Sequence, residues 1–142
     1  MTSTSNGPRG LHHLAIKVRD LPRVEPFYRD LLGLAVIKRW PAAEGPGERA
    51  IWVDTGDGAF LALEVVASGT TAADDDERAA QPGLHLVALR IAATERAAWE
   101  QRLAAAGVAV YQRTAFTLYV RDPEGNRVGL SSYPDSGGGT GP

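Results

Sequence analysis

The sequence predicts an α+β domain made of two βαβββ modules that enclose a concave cleft. Three observations predict it. The order strand, helix, three strands can be written twice along the chain. Each helix pattern stops at a glycine, Gly33 in the first copy and Gly107 in the second. The length, 142 residues, suits one compact domain and is short for two.

In the first module, His13 to Val18 alternates apolar and polar residues as a strand does. Asp20 is placed to cap a helix, and Pro22 fits its first turn, where a missing N–H costs nothing. The helix is expected to run to Leu32, with Val24, Phe27, Tyr28, Leu31 and Leu32 as its apolar stripe. Leu34 to Trp40 reads as the next strand, ended by Pro41, and Ala42 to Gly47 as a loop. Ala50 to Asp54 and Ala59 to Val66 are two further strands joined through Thr55-Gly56-Asp57-Gly58, a hairpin signal.

The second module repeats this order. Leu84 to Ile91 reads as a strand, and Thr94 as the cap of a helix through Ala106 that buries Trp99 and Leu103. Val108 to Arg113, Ala115 to Arg121 and Asn126 to Ser132 complete the set, with a tight turn at Asp122-Pro123-Glu124-Gly125. The modules then span about residues 11–66 and 84–132 of a domain at 11–134. Residues 67–83 read as a linker carrying the acidic run Asp74 to Glu77, with a short exposed helix expected at Thr71 to Ala80. Met1 to Gly10 and Asp135 to Pro142, rich in Gly, Ser, Thr and Pro, are expected to be disordered tails.

Composition narrows function. A formal charge of −2 gives no basic footprint for nucleic acid and no polybasic signal for membranes. No apolar run approaches the roughly 20 residues that span a bilayer. The first ten residues lack the apolar core of a signal peptide, so a cytoplasmic location is the expectation. With no cysteine, any metal would need His, Asp or Glu ligands.

Three stretches carry a family resemblance. They are His12-His13-Leu14-Ala15-Ile16-Lys17-Val18-Arg19-Asp20-Leu21 with Phe27-Tyr28-Arg29-Asp30-Leu31-Leu32-Gly33-Leu34, then Gly83-Leu84-His85-Leu86-Val87-Ala88, then Asp122-Pro123-Glu124-Gly125-Asn126-Arg127-Val128. Together they resemble the vicinal-oxygen-chelate superfamily of glyoxalases, bleomycin-resistance proteins and extradiol dioxygenases. The resemblance implies a divalent metal (Fe, Mn, Ni, Co or Zn) held by His13 and His85, one from each module's first strand, and by Glu64 from the last strand of the first module. Where the family places a fourth, glutamate ligand, this chain has Gly129. A glycine cannot ligate, which weakens an extradiol-dioxygenase assignment in particular.

Two functions stay open at this point. One is a metal-dependent isomerase, lyase or dioxygenase acting on a small oxygenated molecule, with Glu64 as the catalytic proton shuttle. The other is a metal-free binding or antibiotic-sequestering protein, for which Gly129 enlarges the pocket. Trp40, Trp52, Tyr119 and Arg121 are the expected substrate contacts, and His12 is expected to turn away from the cleft. By resemblance the protein is expected to be a homodimer with a small-molecule partner.

Overall fold

A computed structural model describes residues 7–66 and 82–136. Two four-stranded sheets hold the chain together, ordered β1-β4-β3-β2 and β5-β8-β7-β6. The first contains β1 (His13–Val18), β2 (Val36–Pro41), β3 (Glu48–Asp54) and β4 (Phe60–Val65). The second contains β5 (Val87–Arg90), β6 (Gln112–Arg113), β7 (Thr117–Arg121) and β8 (Arg127–Ser131). In each sheet the first strand pairs in parallel with the last, and the remaining ladders are antiparallel. The same topology occurs twice, as the repeat predicts.

Helix α1 (Leu21–Pro26) starts as expected, with the Asp20 carboxylate accepting from the Arg23 N–H at 3.3 Å. It does not run regularly to Leu32. Pro26 has no N–H to give the turn before it, and the chain widens after it into a π-helical turn over Phe27–Leu31. There Leu32 N–H reaches the Phe27 carbonyl, five residues back, at 3.0 Å. Gly33, at φ +76°, then ends the helix.

Three further expectations are corrected. Thr94 is not a side-chain cap: a single 3₁₀ turn, Ala93–Glu95, leads into α2 (Arg96–Ala105), and no side chain bonds the helix start. Ladder pairing in the second module begins only at Val87, so Leu84, His85 and Leu86 precede the strand. The strand expected over 108–113 shrinks to Gln112–Arg113 at the sheet edge. The linker, its acidic run and the helix at Thr71 to Ala80 lie, except for Pro82 and Gly83, outside the described residues.

The core is continuous across both modules. Val18, Val24, Tyr28, Ile51 and Leu63 of the first module join Leu103, Leu118, Val120 and Leu130 of the second in one buried cluster, with Trp99 packed at its margin. The Asp122-Pro123-Glu124-Gly125 turn ties the modules together. Tyr28 OH donates to Asp122 Oδ2 at 2.8 Å, and the Glu124 carboxylate accepts the backbone N–H groups of Arg19 and Asp20. Burial of Tyr28, with the nearby Asp122 charge, raises its phenol well above the ordinary value and keeps it a donor.

Candidate functional site

Strand alternation divides the first sheet into two faces. Leu14, Ile16, Leu61, Leu63, Ile51 and Val53 pack into the core or against it. The opposite face carries His13, Ala15 and Lys17 from β1, in register with Phe60, Ala62 and Glu64 of β4. Trp52 sits opposite Ala62, and Trp40 opposite Ala50.

Four rings on this face form a row, one from each strand. His13 stacks on Phe60 with centroids 4.8 Å apart and planes 5° from parallel. Phe60 stacks on Trp52 at 4.3 Å and 24°, and Trp52 meets Trp40 at 5.4 Å. Lys38 Nζ lies 4.7 Å from the Trp40 ring centroid, and the Arg49 guanidinium lies 5.1 Å away. Trp40 and Trp52 are half-buried, so each keeps part of its surface exposed. The sequence pattern points to the two tryptophans but not to Phe60, the ring that joins them to His13. His12 is not turned away: it precedes β1, where alternation does not hold, and its Nδ1 lies 2.9 Å from His13 Nδ1.

The three proposed metal ligands are not gathered into one site. His13 is in register with Phe60, and Glu64 with Lys17 four positions further along, a separation of roughly 13 Å at about 3.3 Å per residue. Glu64 pairs with Lys17 at 3.2 Å. Arg127 Nη1 lies 3.0 Å from His85 Nδ1. A guanidinium only donates, so Nδ1 is the acceptor and the neutral ring carries its proton on Nε2. That leaves neither nitrogen a lone pair for a metal, the reverse of the usual arrangement around a ligating histidine. Among the described residues, no three His, Asp or Glu side chains stand close enough to share an ion. These residues do not fit a metal in the arrangement seen.

The ladders also place Gly129 differently from motif spacing. When β1 and β5 are aligned on their inward residues (Leu14 with Val87, Ile16 with Leu89), Ala15 matches Ala88. The partners of these two are Ala62 and Gly129. By this alignment Gly129 occupies the place of Ala62, Ser131 that of Glu64, and His12 that of His85. Gly129 opens no space either. A Cβ there would meet Leu86 Cδ1 at 3.2 Å and Thr117 Cγ2 at 3.3 Å. Thr117 is held by its hydroxyl's 2.9 Å bond to Ser131, so it yields little. We expect Gly129→Glu to cost about 2 kcal/mol by overpacking and to create no metal uptake, checked by urea unfolding and metal analysis. A stable variant that binds Ni(II) or Zn(II) stoichiometrically would overturn this placement.

Tyr119 is half-buried on β7, 6.2 Å from Tyr111, and Arg121 stacks 4.4 Å over the Tyr111 ring. Both lie in the second sheet, away from the row of four rings. A cavity of about 240 Å³ opens between β1 and the segment leading into β5, and His85 and Arg127 are in its wall.

The model of the glyoxalase/bleomycin resistance protein/dioxygenase superfamily matches residues 10–130. The chain belongs to this superfamily. Solved structures of the superfamily share the fold. A glyoxalase/dioxygenase from Nostoc punctiforme aligns with a TM-score of 0.74 at 20% identity, covering 95% of this chain and 100% of that one. A glyoxylase/bleomycin resistance protein/dioxygenase domain from Frankia sp. EAN1pec gives 0.68 at 24% identity, covering 91% and 96%. The fosfomycin resistance protein FosX of Listeria monocytogenes gives 0.64 at 16%, covering 87% and 90%. No curated protein matches the chain. In this chain the first sheet carries the four-ring row, and His13, Glu64 and His85 do not gather into one cluster. Among the described residues no helix is long and apolar enough to cross a membrane.

Proposed function

We propose that this superfamily member binds a small planar, aromatic compound on the outer face of its first sheet without help from a metal, and so sequesters it. The observation that carries the reading is the row His13, Phe60, Trp52 and Trp40. Offset and tilted rings at these separations favour a further flat partner, and stacking of one ring on an aromatic side chain contributes about 1–3 kcal/mol. A metal-dependent isomerase, lyase or dioxygenase would need His13 and Glu64 brought level along the β1–β4 ladder, and His85 released from Arg127. The homodimer implied by the resemblance and the cytoplasmic location expected from the first ten residues belong to the same proposal.

Two of the three tryptophans lie in the row, so intrinsic fluorescence reports occupancy. Titration with 2-naphthol, which is neutral, is expected to quench it saturably and equally in the presence of EDTA. Trp52→Ala should weaken binding by about tenfold or more. Loss of binding in the chelator, or chemical conversion of the bound compound, would reject sequestration.

A further inference from the structure

We propose a second site in this chain, an oxyanion pocket for a small organic acid at the junction of the two modules. It is the cavity of about 240 Å³ between β1 and the chain entering β5. Its wall has two chemical halves. Leu14, Ile16 and Leu86 supply apolar surface, whereas Lys17, His85 and Arg127 supply N–H donors. Two formal positive charges and no carboxylate belong to the lining, among the described residues. Small-ligand sites are built in this way, with apolar walls and a few converging polar groups.

The His85–Arg127 contact that disfavours a metal suits an anion. With Nδ1 accepting from the guanidinium at 3.0 Å, the imidazole keeps its Nε2–H as a neutral donor. Arg127 brings a guanidinium, the side chain best shaped for a carboxylate, and Lys17 adds a mobile ammonium. Cross-strand register places Arg121 directly opposite Arg127 on the same sheet face. Glu64, outside the lining and 3.2 Å from Lys17, competes with such an anion for the ammonium. The volume suits a carboxylate with a short apolar body. It does not extend to the row of four rings.

Hexanoate is the test probe, with hexanamide as its neutral match and inorganic phosphate as the headgroup alone, each titrated by calorimetry against the full chain. Hexanoate is expected to bind saturably near 1 mM, on the order of what a small ligand achieves, and hexanamide and phosphate to bind far more weakly. Lys17→Met and Arg127→Gln should each weaken hexanoate by about tenfold. Glu64→Gln, which removes the competitor, should tighten it by about two- to fivefold. Equal binding of hexanoate and hexanamide would overturn the proposal. So would phosphate binding as tightly as hexanoate, or hexanoate affinity unchanged in both cation variants. Weaker binding in Glu64→Gln would also reject it, since a carboxylate that helps binding is not a competitor. None of these probes carries an aromatic ring, so failure here leaves 2-naphthol binding untouched.

Discussion

Asp122→Ala is expected to remove about 4 kcal/mol of folding stability, an effect on the order of breaking a buried charged network. Asp122 is 4% exposed and its carboxylate takes four donors. Oδ1 accepts the backbone N–H groups of Glu124 and Asn126 at 2.8 and 2.9 Å, and Oδ2 accepts Tyr28 OH and Asn126 Nδ2 at 2.8 and 2.9 Å. Alanine leaves the Tyr28 hydroxyl, on a fully buried ring, with nothing to donate to. It also loosens the turn that grips the first module. Tyr28→Phe, which removes a donor and orphans only one of several carboxylate bonds, should cost about 1–1.5 kcal/mol. The double variant should then fall short of the sum, because once the carboxylate is gone the hydroxyl has no favourable role. Urea unfolding of the four proteins measures this. A loss below about 1 kcal/mol in Asp122→Ala would mean that the turn holds the module junction without its carboxylate.

That junction shows which parts of the fold are legible in sequence and which are not. Alternation and the glycine stops at Gly33 and Gly107 are local signals, so the two βαβββ units are readable residue by residue. Register is not. A one-residue slip of β1 against β4 would turn His13 into the core and is excluded by the pattern, but a slip of two or four residues leaves every side chain on its proper face. Sequence therefore places His13 and Glu64 on one face without showing whether they are level. In the structure they are four positions apart. The widened turn at Phe27–Leu31 follows from Pro26, visible in the sequence but masked by an apolar stripe that continues past it. Phe60 was hidden for the opposite reason, since one phenylalanine in an apolar strand reads as core. The role of Glu124 depends on a partner 105 positions away, a distance over which spacing carries no information. Asp122 and Gly125 are read correctly as turn residues, yet the turn also serves as the clasp between modules.

Glu124 makes that clasp sensitive to acid. Its side chain is 6% exposed. It accepts Arg19 N–H at 2.8 Å to each oxygen, Asp20 N–H at 2.6 Å and Arg19 Nε at 3.3 Å. Burial by itself would raise its pKa. The two backbone donors, helped by the Arg19 guanidinium, outweigh burial and hold it below the ordinary 4.5. The sign follows by linkage: a carboxylate whose folded pKa is depressed adds stability that is complete above its unfolded value and is lost as pH falls through the folded one. At neutral pH, Glu124→Ala should therefore cost about 3 kcal/mol, since it orphans two backbone N–H groups at the start of α1. Glu124→Gln keeps an acceptor but no charge, and is expected to cost less at pH 7 and progressively less below 4.5. Glu25 keeps a residual acid slope in both proteins. The Arg39 hydrogen bond, ahead of the opposing burial and the charges of Arg39 and Arg29, lowers its pKa, though solvent around half-exposed Arg39 limits the gain. Urea midpoints from pH 7 to about pH 3 should thus converge for wild type and Glu124→Gln. Parallel curves would show that the Glu124 charge contributes nothing, and that the geometry of its bonds alone joins the two modules.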